Sequence, residues 1–229
     1  TRVTGAADFF TIWAPARLYL TEGWNPYGAE TSEWLQEHTF GEHQHPLREG
    51  WRFYYPLYAL LLIAPLALIA DYSWVQAIWQ VLCQLFLFGG LFLTLRYHRW
   101  HPRPAALLAM MLWTVTFYPA ARAIMLGQPA LPVFLLTVAA FWLLFRAEPG
   151  RAGDTAAGVL LAISTIKPQM QMLVVPFLLL WALRERRWAV VAAFGGMMVV
   201  LIGASLAVMP AWIGGWLGQM RAYPNAQAT

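Results

Sequence analysis

Tyr72-Ser73-Trp74-Val75-Gln76-Ala77-Ile78-Trp79-Gln80-Val81-Leu82-Cys83-Gln84-Leu85-Phe86-Leu87-Phe88-Gly89-Gly90-Leu91-Phe92-Leu93-Thr94-Leu95 runs for 24 residues without a charged side chain. At a rise of about 1.5 Å per residue, a helix of that length crosses a hydrocarbon core of roughly 30 Å. Outward from it the pattern repeats, with further uncharged runs over 53–70, 104–121, 123–145, 155–166, 168–183 and 188–220. The 229-residue chain is 60% hydrophobic and 11% charged, against about 25% charged residues in soluble domains. These runs predict an all-α polytopic membrane protein with about six spans over 71–229. The run 53–70 carries Pro56 and Pro65, which make it a poor spanning helix. It is expected to be re-entrant or to lie at the interface. The segment 1–52 is expected to be an extracytoplasmic loop with short juxtamembrane helices. Both ends are expected to be truncated, with further helices on either side.

Charge fixes the expected orientation. The net charge of +4 reports topology before any anionic partner, and no nucleic-acid signature is present. Three connections are rich in arginine: Arg96, Arg99 and Arg103; Arg146 and Arg151; Arg184, Arg186 and Arg187. Such loops stay in the cytoplasm. If 53–70 does not cross, residues 1–52 and the turns at Gly127-Gln128 and Lys167-Pro168 fall on the opposite, extracytoplasmic side. A single helix over 155–183, kinked at Lys167-Pro168, would move the last loop to the other face. The single Cys83 lies within an apolar run, which leaves no disulfide framework.

The first quarter of the chain holds seven of its eleven acidic residues. Asp8 stands out, because it sits among Ala6, Ala7, Phe9, Phe10 and Trp13, where a carboxylate is costly without a partner or a task. Capping a helix that begins at Phe9 would also account for it. That helix is expected to end at Gly23, followed by a turn at Asn25-Pro26-Tyr27-Gly28 and a second short helix from Thr31 to His38. Lys167, the only lysine, separates two apolar runs and precedes Pro168. An ionisable residue there marks a functional site with phosphate as its natural partner, although snorkelling to the headgroups explains it too. Arg122 and Arg52 are further cations on the outer side. Gln128 in Leu126-Gly127-Gln128-Pro129 offers donors and acceptors for a hydroxyl-rich ligand, or it simply follows a turn. Trp51, Phe53, Tyr54 and Tyr55 suit stacking on sugars and equally an interfacial belt. His43 and His45 are too few for a metal centre. No metal and no cofactor is expected.

The order Asp8-Phe9, Trp13-Ala14, Gly23-Trp24-Asn25-Pro26-Tyr27, then Phe53-Tyr54-Tyr55-Pro56-Leu57 and Pro65-Leu66-Ala67-Leu68, then Gly127-Gln128, then Lys167-Pro168-Gln169 and Arg186-Arg187-Trp188 resembles glycosyltransferase family 87. The resemblance runs over nearly the whole chain. Two departures are Leu57, where the family's usual Tyr-Pro-Pro would place a second proline, and Ala130, where an Asn often follows the Gly-Gln pair. The resemblance implies a GT-C fold, whose first extracytoplasmic loop carries the catalytic carboxylate. It implies transfer of a hexose, mannose foremost, from a polyprenyl-phosphate sugar to a glycolipid or glycan acceptor, with inversion and no metal. Asp8 matches the family's carboxylate and would be the general base. Lys167, Arg122 and Arg52 would meet the donor phosphate, and Gln128, Gln169, Tyr27 and Tyr55 the sugar or acceptor. The expected location is a bacterial plasma membrane, with the site on its extracytoplasmic side. A transporter or flippase of lipid-linked glycans is the alternative reading. It would more naturally carry its ionisable residues deep within its spans.

Overall fold

The computed structural model describes residues 5–40, 51–146 and 150–227. Every regular element in them is an α-helix. His43 and His45 lie outside the described residues. The chain divides into two compact units. One comprises Thr1–Trp79 with Ile202–Thr229, the other Gln80–Leu201.

In the first unit, α1 (Ala7–Glu22), α2 (Ala29–Phe40) and α3 (Leu57–Ala67) pack with α12 (Trp212–Gln227) and the first turns of α4 (Tyr72–Tyr97). Helix α1 ends where expected. Gly23 takes the left-handed conformation at φ 71° and donates its N–H to the Tyr19 carbonyl at 3.2 Å, while the Trp24 N–H donates to the Leu18 carbonyl at 3.4 Å, a stop that favours glycine. The turn follows at once, with the Gly28 N–H donating to the Asn25 carbonyl at 2.8 Å and the Tyr27 N–H to the Asn25 side chain at 2.9 Å. Helix α3 is 11 residues long, well short of the roughly 20 that a span requires. Its last carbonyls, which no helix can satisfy internally, accept from α1. The Trp13 indole donates to Leu66 at 3.2 Å and the Arg17 guanidinium to Ala67 at 3.1 Å. A cation at that end also complements the helix dipole.

The second unit is built around Ala140 and Leu144 of α7 (Ala130–Phe145), Ala157 and Leu161 of α8 (Arg151–Ser164), Val175, Leu178 and Ala182 of α10 (Val174–Arg184), and Val190 of α11 (Trp188–Val208). Small residues let these helices approach. A Cβ on Gly158 would strike the Val190 carbonyl oxygen and the Phe194 nitrogen, so α8 and α11 touch backbone to backbone. At one end of the unit Arg187 grips both Asp154 carboxylate oxygens and donates to the Leu144 carbonyl at 2.6 Å, with its guanidinium over Trp181. One side chain thus ties together the ends of α7, α8 and α10.

Two single helices, α4 and α11, are long and apolar enough to cross a membrane. A third candidate is the pair α5 (Pro104–Thr116) and α6 (Tyr118–Leu126), bent by 58°. The chain is an all-α polytopic membrane protein. The break between α5 and α6 follows from Pro119, which lacks an N–H and whose ring would clash with the carbonyl four residues back. The expected spans over 129–145, 155–166 and 169–183 take the form of α7, of α8, and of the four-residue α9 (Pro168–Gln171) followed by α10, with interruptions at Lys167 and Leu173.

Candidate active site

Asp8 does not cap α1. The capping position belongs to Ala6, which holds a left-handed φ of 48° with no side-chain cap, and Asp8 lies in the first turn. Its placement is set by the aromatic side chains around it. Phe9 is fully buried and stacks on Trp79 at 4.1 Å, while Phe10 meets the Tyr72 ring edge-on at 4.9 Å. The Tyr72 hydroxyl donates to the Ala6 carbonyl at 2.7 Å, fastening the start of α1 to the first turn of α4. Asp8 is half-buried beside this phenol and interacts with it electrostatically. The Thr11 hydroxyl donates to the Asp8 backbone carbonyl at 2.8 Å. These contacts fix where the Asp8 carboxylate stands at the start of α1. Tyr72 is a neighbour that the sequence reading missed. Its position at the head of a long apolar run gave no sign of it.

Tyr27 is buried in the first unit, with its ring against Phe53 at 5.2 Å. Its hydroxyl donates to the Tyr55 carbonyl at 2.9 Å, and its own carbonyl accepts from Gln219 at 2.9 Å. Burial pushes the Tyr27 phenol well above its ordinary value, with Tyr58 nearby adding to the shift. The pair Tyr27 and Tyr55 is therefore brought together, joined through backbone. Arg52 is half-buried in the same unit.

In the second unit the fold brings Gln128 and Lys167 together. The Lys167 ammonium donates to the Gln128 side-chain carbonyl at 2.7 Å across 39 residues of sequence. Both sit at helix breaks. Gly127 ends α6 at φ 64°, a conformation that favours glycine, and the Gln128 N–H closes the turn on the Ala123 carbonyl at 2.8 Å. Lys167 is extended at φ −121°, ψ 80° between α8 and α9, as the residue before a proline must be. Both side chains are half-buried. Gln169 is exposed one residue beyond Pro168, and Arg122 is exposed on α6, donating to the Tyr118 hydroxyl at 3.0 Å. The amide orients the Lys167 ammonium, and a charged donor makes the stronger hydrogen bond to an anionic oxygen.

No curated protein and no solved structure matches the chain. The model of glycosyltransferase family 87 matches residues 53–228, a stretch that contains Gln128, Lys167, Arg122, Gln169 and Tyr55 and leaves Asp8, Tyr27 and Arg52 outside it. With that match covering most of a helical, membrane-embedded chain, the protein belongs to glycosyltransferase family 87 and is a membrane glycosyltransferase.

Proposed function

We propose that the protein transfers a hexose, mannose foremost, from a polyprenyl-phosphate sugar to a glycolipid or glycan acceptor, on the extracytoplasmic face of a bacterial plasma membrane. Asp8 is the general base. As the acceptor oxygen attacks the anomeric carbon, its proton passes to the Asp8 carboxylate and the bond from that carbon to the phosphate oxygen breaks. Polyprenyl phosphate leaves and the anomeric configuration inverts. A positioned base of this kind contributes about 10²–10⁴-fold. Charge develops on the departing phosphate, and donors fixed in advance stabilise it at no cost in reorganisation. Lys167, held by Gln128, supplies the opposing positive charge, with Arg122 and Arg52 as further cations. Gln169 adds a sugar or acceptor contact, while Tyr27, whose hydroxyl is bound to the Tyr55 carbonyl, acts by positioning Tyr55 rather than by touching the sugar.

The observation that carries this reading is the ammonium–amide pair of Lys167 and Gln128, two helix breaks joined in a family of glycosyltransferases. The test compares full-length wild type with Asp8→Asn in membranes, following labelled mannose from polyprenyl-phosphate mannose into acceptor. Asn keeps the shape and cannot take the proton. Transfer should fall by at least about a hundredfold with expression and donor binding intact. Unchanged transfer would remove Asp8 from the chemistry.

A further inference from the structure

A cavity of about 500 Å³ opens in the first unit, lined among others by Trp13, Arg17, Thr21, Glu22, Trp24 and Trp34. Its volume falls within the range of small-molecule sites, roughly 300–1,000 Å³. At 3.6 residues per turn, Trp13, Arg17 and Thr21 line the side of α1 away from Asp8, so this cavity is separate from the base. Its walls are fixed before any ligand arrives. The Trp13 indole is tied to Leu66, one arm of Arg17 to Ala67, and Trp34 is stacked on His38 at 3.7 Å. Trp24, by contrast, is half-buried and makes no ring contact or side-chain hydrogen bond among the described residues. Its indole lines the cavity, and an indole's apolar surface suits the C–H face of a pyranose.

The charges decide between ligand classes. Arg17 has five N–H donors, one of them committed to Ala67, and the exposed Glu22 brings carboxylate acceptors to the same cavity. A phosphate would meet Glu22 and a cation would meet Arg17. A neutral polyol satisfies both, because each hydroxyl donates and accepts. We infer that this cavity is a binding site for a neutral saccharide, stacked on Trp24 and hydrogen-bonded by Arg17 and Glu22. Resting on the proposed glycosyl transfer, it identifies the acceptor as an extended glycan, of which a sugar unit remote from the reacting hydroxyl sits here.

The test uses full-length protein in lipid nanodiscs and saturation-transfer NMR with an α-linked mannotriose, with inorganic phosphate and mannose 1-phosphate as competitors. The trisaccharide should bind to wild type and to Asp8→Asn alike. Binding should weaken roughly tenfold in Trp24→Ala, and measurably in Glu22→Ala, a surface change that leaves the fold intact. Neither phosphate nor the sugar phosphate should compete better than the neutral sugar. Absence of trisaccharide binding, binding indifferent to both variants, or preference for the phosphates would each overturn the assignment. The two proposals fail separately. Asp8→Asn that still transfers sugar would sink the base and leave this site standing, while lost transfer with no saccharide binding would do the reverse.

Discussion

Lys167 and Tyr27 show how two polar side chains in an apolar chain come to opposite uses. Lys167 stands at a helix break and donates to a neutral amide. Hydrogen bonds to charged groups contribute about 1.5–3 kcal/mol, so Lys167→Met should raise the KM for polyprenyl-phosphate sugar by roughly tenfold to a hundredfold. Gln128→Ala keeps the charge and loses only its orientation, so its effect should be the smaller of the two in the same donor titration. Tyr27 instead spends its hydroxyl inside the fold. Its folded phenol ionises above the ordinary value of 10.0, so the neutral form is favoured by folding. That stability is present in full below pH 10 and is lost as pH rises beyond it, where the unfolded chain ionises and the folded one resists. Tyr27→Phe should cost about 1 kcal/mol at neutral pH through the lost bond to Tyr55 and flatten the alkaline limb. Thermal unfolding in detergent across pH 7–11 measures both.

At the scale of elements, the helices of the second unit are held at contact distance by absent side chains. Gly158 has the Val190 carbonyl and the Phe194 nitrogen where its Cβ would be, whereas Gly195 and Gly196 on α11 face open space. Gly158→Val should therefore destabilise by about 1–3 kcal/mol, the cost of overpacking. Gly196→Ala, with room to spare, should be neutral or mildly stabilising, since alanine is the better helix former. Melting temperatures of the two variants separate the cases. Only part of this was legible in the sequence. The end of α1 at Gly23, the Asn25–Gly28 turn and the long runs of α4 and α11 could be read, because glycine, proline and uninterrupted hydropathy act locally. The break at Leu173 was not read, although Pro176 marks it: a proline lacks an N–H and its ring would clash with the carbonyl four residues back, at Met172. The docking of Trp13 and Arg17 on the last carbonyls of α3 could not be read, because hydropathy does not say which carbonyls a helix end leaves unsatisfied. The sequence singled out Gln128 and Lys167 separately. Their bond joins residues on different elements, and no local pattern records it. The recurrence of Trp13, Arg17 and Thr21 at every fourth position was a signal of a polar-aromatic face, and it was available to be read.

For the molecule as a whole, the arginines and the helix breaks argue for one orientation. Arg96 closes α4, Arg184 closes α10, and Arg186 and Arg187 lead into α11, so the basic residues gather where long apolar helices end. Moving such clusters across a bilayer is opposed, and basic loops are as a rule retained in the cytoplasm, which supports the proposed orientation. The turns at Gly127-Gln128 and Lys167-Pro168 carry no such cluster, and they hold the Lys167–Gln128 pair, proposed above to meet a lipid-phosphate donor. Broken helices are tolerated within a membrane where they line a polar site, which would give the breaks at Gln128 and Lys167 a common reason under that proposal. Single-cysteine labelling tests this in intact cells. Cys83 is buried and is replaced by serine to clear the background. A membrane-impermeant thiol reagent should then label a cysteine at position 128 from outside and spare one at 186 until the cells are opened. The converse pattern would place the ammonium–amide pair in the cytoplasm and require the sugar donor to be presented there. Labelling of both positions from outside would mean that α7, α8 and the α9–α10 segment cross the bilayer an even number of times between the two sites.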